Sequence, residues 1–178
     1  MKRRVLRRVS VVHRHGDRVP AHLGTLDPSE RRAWESLLPE AGTTAAEALA
    51  DRFPIVSRAG DPKNKHLEGR LTLRGAKQCE NLGRYLRQRY GACSLHVRSS
   101  NYLRTQQSAQ YLLSGFHGPG LFPCTDIHVP PTSECVIDAF SRYKSIHKLA
   151  AQLSESEAFR DHEIKEDMEG VRKKLETM

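Results

Sequence analysis

An apolar run rich in β-branched residues, Val5–Val12, breaks directly into Arg14-His15-Gly16-Asp17-Arg18-Val19-Pro20. Such a run reads as a buried strand. The turn that follows is tightly specified. Gly16 lets the backbone bend sharply and approach a ligand closely, and Pro20 stiffens the exit. The expected result is a histidine flanked by arginines at the end of a strand. A lone histidine at a strand end is more often structural, so the weight rests on the whole pattern. His13 and His22 have no spacing that assigns them a role and read as surface or packing residues.

The rest of the chain alternates helices with short strands. Asp27 can cap a helix, with Pro28 at its first position and Glu30 completing a capping box; Ala33, Trp34, Leu37 and Leu38 give it an apolar face and Pro39 ends it. Residues 42–67 are polar and show no sustained period, which predicts a surface excursion with a short helix near Ala45–Phe53. Thr72 caps a helix to about Tyr90, with Ala76, Cys79, Leu82, Gly83, Leu86 and Tyr90 at helical spacing and Gly91 as terminator. A strand at Leu95–Val97 follows. Asn101 is then positioned to cap a helix through Leu113, closed by Ser114-Gly115. Ile127–Val129 is a third strand, stopped by Pro130-Pro131, and two helices are expected near Arg142–Leu153 and Ile164–Leu175. Strands alternating with helices predict an α/β fold with a mostly parallel sheet.

The residue types of the turn point to one chemistry. An imidazole can attack phosphorus and carry the phosphoryl group covalently. Guanidiniums can hold the remaining phosphate oxygens and offset charge in the transition state. Two further segments fit this reading. Gly69-Arg70-Leu71-Thr72-Leu73-Arg74-Gly75-Ala76-Lys77-Gln78 opens the long helix, with Leu71 and Leu73 expected in the core. Arg98-Ser99 followed by Arg104-Thr105 and Ser108-Ala109 forms a strand–turn–helix. Arg104 there lies near a helix N-terminus, where the dipole and free amides favour an anion. Arg98 is expected to brace the turn.

These three segments resemble the Arg-His-Gly-x-Arg-x-Pro, Gly-x-Leu-Thr-x-x-Gly-x-x-Gln and Arg-Ser-x-x-x-x-Arg-Thr-x-x-Ser-Ala patterns of the histidine acid phosphatases, the acid phosphatase and phytase branch of the histidine phosphatase superfamily. The resemblance implies a three-layer α/β/α fold. It implies His15 as nucleophile, Arg14, Arg18 and Arg104 as the phosphate pocket, and phosphomonoester hydrolysis without a metal or other cofactor. In look the chain is most similar to lysophosphatidic-acid-phosphatase-type members, through Arg104–Phe116 and, weakly, Glu166–Lys173. The family also implies a distal His-Asp pair whose Asp protonates the leaving alcohol. The sequence has no His-Asp dipeptide; Asp161-His162 is the reverse order. The expectation is therefore that residues 1–178 form the N-terminal part of such a domain, with core strands and helices to about residue 135, a helical segment over 136–178, and a fold incomplete at the C-terminus. Two alternatives stand beside the enzyme: a non-catalytic phosphate-binding relative lacking the acid, and a basic surface-binding protein. Asp17 and Glu134 are the acidic residues nearest to hand as substitute donors.

Composition narrows the partners. The formal net charge is +8, with seven Lys/Arg against Asp17 alone in residues 1–20 and eleven against three from Arg58 to Arg104. A basic surface of this kind concentrates an anionic substrate. Aromatic residues are 6% and no nucleic-acid module is present, so nucleic acid is not the expected partner. No apolar stretch is long enough to span a bilayer, and no signal-peptide core follows the basic N-terminus. A non-secreted, cytoplasmic protein is therefore expected, with a short transit peptide overlapping the strand, mitochondrial or other, as the alternative. Cys79, Cys93, Cys124 and Cys135 contain no Cys-x-x-Cys pair, which argues for free thiols rather than zinc. Cys79 is expected in the core.

Overall fold

The computed structural model describes residues 8–21, 23–24, 26–39, 44–63, 66–119, 124–135 and 144–156. The chain divides into two compact units, Met1–Glu134 and Cys135–Met178. In the first, α1 (Pro28–Glu35), α2 (Thr44–Arg52), β1 (Ile55–Ser57), α3 (Leu73–Tyr90), β2 (Val97–Arg98), α4 (Leu103–His117) and β3 (Ile127–Val129) follow one another, then a single 3-10 turn at Thr132–Glu134. The second unit contains α5 (Lys144–Ser154), with Leu149 and Leu153 exposed along it. The expected helix at 164–175 lies outside the described residues.

The helix starts follow their local chemistry. Asp27 accepts from the Ser29 and Glu30 amides while the Glu30 side chain accepts from the Asp27 amide, which is a complete capping box. Thr72 accepts from the Gly75 amide and starts α3. At α4 the expected cap is displaced. Asn101 donates instead to the carbonyls of Ala59 and Asp61 and accepts from Gln106, and the N-cap residue is Tyr102. The helix also does not stop at Ser114-Gly115. It runs to His117 because Gly115 is a packing residue: a Cβ there would lie 1.9 Å from the Glu80 carbonyl oxygen of α3. Gly83 answers from α3, where a Cβ would lie 2.0 Å from the Leu112 carbonyl oxygen. Two glycines thus bring α3 and α4 into backbone contact.

The sheet is parallel throughout, in the order β1-β3-β2. β2 begins two residues later than expected, at Val97, and β1 arises inside the expected excursion. Ile55, Val97 and Ile127 stand side by side in register and pack with Phe53, Leu113 and Ala109 into one core cluster. Each fully buried side chain of this size contributes roughly 1.5–3 kcal/mol. A second cluster joins Val19, Leu38 and Leu67 to Leu23, Leu26 and Trp34. It sits beneath the turn that carries the sequence motif.

Three expectations fail. Residues 8–12 form no strand, and Val9, Val11 and Val12 are 41%, 47% and 86% exposed. A strand exists only where a neighbour completes its ladder, and none lies beside this segment among the described residues; Val5–Arg7 fall outside them. Leu73, the first residue of α3, is 53% exposed, whereas Leu71 just before the helix is fully buried. The expected apolar face of α1 is realised only in part: Trp34 packs half-buried against the second cluster and Leu38, just past the helix end, is buried, while Leu37 is 48% exposed.

Candidate active site

The turn Asp17–Pro20 is built as one side of a short antiparallel pairing with Gly69–Thr72. The Val19 amide donates to Arg70, the Gly69 amide to Pro20 and the Thr72 amide to Asp17, at 2.9, 3.0 and 3.0 Å. Arg18 and Leu71 form the bridge between them. Side chains add to this. Thr72 Oγ1 donates to the Asp17 carboxylate at 2.7 Å, and the Asp17 amide donates to Gln78 Oε1 at 2.8 Å. Thr72 therefore caps α3 and holds the turn with the same hydroxyl.

Backbones meet at Gly16 and Gly75. A Cβ on Gly16 would lie 2.3 Å from the Gly75 carbonyl oxygen, and one on Gly75 would lie 2.1 Å from that of Asp17. Here glycine is required for approach rather than for its dihedral freedom. The second sequence segment thus has an architectural role: Gly75 and Gln78 hold the turn that Gly16 opens.

His15 stands on this turn, half-buried. Its Nδ1 lies 2.7 Å from the Gly16 carbonyl oxygen. A carbonyl only accepts, so Nδ1 carries the proton and Nε2 carries the lone pair. Burial lowers the pKa of His15 below its ordinary value of 6.5; the Gly16 hydrogen bond opposes this, and the positive charges of Arg104, Arg14 and Arg18 lower it further. The neutral imidazole is favoured, and all three arginines act in that direction. Arg14 is exposed. Arg18 is half-buried and spends one Nη donor on the Val19 carbonyl at 2.9 Å. Arg104 lies in the first turn of α4, its guanidinium 4.3 Å from the centre of the Tyr102 ring. Arg98, by contrast, lies with His96, His128 and Arg58 along a cavity of about 360 Å³ that includes none of these four residues. His13 is half-buried, its ring nitrogen 2.9 Å from the Arg14 carbonyl oxygen; His22 is outside the described residues.

Chemically, the arrangement offers an unprotonated imidazole nitrogen inside a field of fixed positive charge. Such a site suits an oxyanion whose central atom can be attacked by nitrogen. Among the described residues no group of three or more His, Cys, Asp or Glu side chains could hold a metal ion. All four cysteines are free, with Cys79 and Cys135 buried. No described helix is long and apolar enough to cross a membrane. Sequence reasoning missed Gln78 and Ser108 as supports of the turn. Both stand inside the matched segments, so the signal was their place in the motif.

Fold and site together define an α/β protein with a parallel sheet and a histidine-bearing, arginine-flanked turn. The chain belongs to the histidine phosphatase superfamily (branch 2), whose description matches residues 5–175. It is similar to putative acid phosphatase 5 of Caenorhabditis elegans, at 32% identity over 119 residues, which is 62% of this chain and 21% of that protein. It is also similar to testicular acid phosphatase of Mus musculus, at 35% identity over 107 residues, 47% of this chain and 25% of that protein. The aligned stretches thus span about a fifth to a quarter of the length of these curated relatives.

Proposed function

We propose that this chain carries the nucleophile and phosphate pocket of a phosphomonoester hydrolase. His15 Nε2 attacks phosphorus, the P–O bond to the alcohol breaks, and the leaving oxygen takes a proton from solvent water. Water then attacks the phosphohistidine, the P–N bond breaks, and inorganic phosphate leaves. Arg14, Arg18 and Arg104 hold the non-transferring oxygens throughout. Three guanidiniums supply positive charge of the kind that a divalent cation supplies elsewhere. The observation that carries this reading is the state of His15: its Nδ1 is occupied by Gly16 and its charge is suppressed by burial and by the arginines. A nucleophilic imidazole must be neutral at its attacking nitrogen. Family membership and the acid phosphatase names of the relatives point the same way.

The substrate class is an anionic phosphomonoester. The subgroup resemblance makes lysophosphatidic acid the first to try, and the basic surface favours any such ester. The test is hydrolysis of p-nitrophenyl phosphate, whose leaving group needs little protonation. Turnover by the 178-residue chain that disappears in His15→Ala is the expected result. Near-wild-type turnover in His15→Ala contradicts the nucleophile. Tight phosphate binding without turnover selects the non-catalytic relative.

A further inference from the structure

We propose that Ser108 is a positioning residue for this site: its buried hydroxyl ties the backbone of the His15 turn to that of the Arg104 turn, and so sets how imidazole and guanidinium face each other. Ser108 lies in α4 and is fully buried, at 0% exposure. Its Oγ accepts from the Gly16 amide at 3.2 Å and donates to the Arg104 carbonyl at 2.7 Å. A serine has one hydroxyl proton. The Arg104 carbonyl takes it, and a lone pair is left for Gly16. Gly16 then works twice, since its amide meets Ser108 and its carbonyl lies against His15 Nδ1 at 2.7 Å.

Helix formation alone does not ask for this serine. Alanine is the better former at an interior position, and back-bonding to the residue four earlier slightly weakens a helix. What the hydroxyl adds is an acceptor for an amide in another segment. The surroundings keep that link uncharged. Cys79 of α3 lies beside Ser108 and the Gly16 backbone, and burial pushes its thiol up, so it stays protonated.

The turn is also anchored to α3 and its approach, through Thr72, Gln78 and the Gly16–Gly75 contact. Those anchors do not involve Ser108. Removing the hydroxyl therefore leaves the turn attached and the fold intact, but frees it with respect to Arg104. The cost falls on geometry. A displacement of about 1 Å at a reacting group lowers rate roughly 10²-fold.

The inference rests on the phosphatase reading for its activity arm only. The experiment follows the titration of His15 by NMR, together with kcat and KM on p-nitrophenyl phosphate, in the 178-residue chain. Ser108→Ala is compared with Leu113→Val, a core change in the same helix that touches neither segment. Ser108→Ala should fold, move the His15 midpoint up toward 6.5 as the Arg104 charge loosens, and lower kcat about 10²-fold with a smaller change in KM. Leu113→Val should lose stability and keep both the midpoint and kcat. If Ser108→Ala fails to fold, Ser108→Cys, which fills the volume but accepts poorly, must give the same shift. A wild-type midpoint in the serine variant, or an equal shift in Leu113→Val, overturns the proposal. A wild-type chain that neither turns over p-nitrophenyl phosphate nor binds inorganic phosphate sinks the phosphatase reading, while the titration still decides the role of Ser108.

Discussion

Two halves of one motif behave oppositely. Val12, in the approach to the turn, is 86% exposed; Val19, seven residues on, is fully buried. Both are valines with the same β propensity. The difference is in what their backbones meet. Residues 17–20 find the Gly69–Thr72 backbone, the Gln78 side chain and a cluster formed by Leu38 and Leu67. Residues 8–12 find no partner strand among the described residues. Propensity selects among conformations that tertiary neighbours make available; it does not supply the neighbours. The His15 imidazole stands directly before the pinned half.

Mutations can break that contrast at graded strengths. The largest effect is expected from Gly75→Ala, because the new Cβ meets backbone rather than a movable side chain. It should cost about 3 kcal/mol in denaturant unfolding, the upper part of the range for overpacking, and displace the His15 turn. Val19→Ala should cost about 2 kcal/mol, for a fully buried side chain and the cavity it leaves. Thr72→Ala removes the α3 cap and the Asp17 tether together, for about 1 kcal/mol in the same assay. Smaller still is a pH effect. The folded protein lowers the pKa of His15, first by burial, so the unfolded chain binds the proton more readily. The resulting contribution to stability is full above 6.5 and shrinks as pH falls below it, until the folded imidazole itself protonates. Melting temperature should therefore fall more steeply through this window in the wild type than in His15→Gln. Val12→Ser, on the exposed half, should change stability by less than about 0.5 kcal/mol. A larger loss there would mean that the approach segment is held after all.

What was legible in the sequence was local or motif-bound. The capping box at Asp27 and the Thr72 cap depend on residues within three positions, so they could be read directly. The α/β class followed from the alternation of periods. Long-range facts were not legible. β1 is three residues long and exists by pairing with β3, which lies about seventy positions later. Ser114-Gly115 has the composition of a helix end, yet Gly115 serves the contact with Glu80. Asn101 has the chemistry of a cap, but Ala59 and Asp61 compete successfully for its amide. The candidate site residues His15, Arg14, Arg18 and Arg104 came from the motifs, while Ser108 and Gln78 act through partners sixty to ninety positions away.

The central claim is that His15 Nε2 is the attacking atom, because Gly16 occupies Nδ1. The direct measurement is to quench the reaction during turnover of a labelled phosphomonoester and map the phosphoryl group. The account predicts a phosphohistidine at His15, substituted on Nε2, and no trapped label in His15→Ala. Label on Nδ1, label on another residue, or turnover with no covalent intermediate would contradict it.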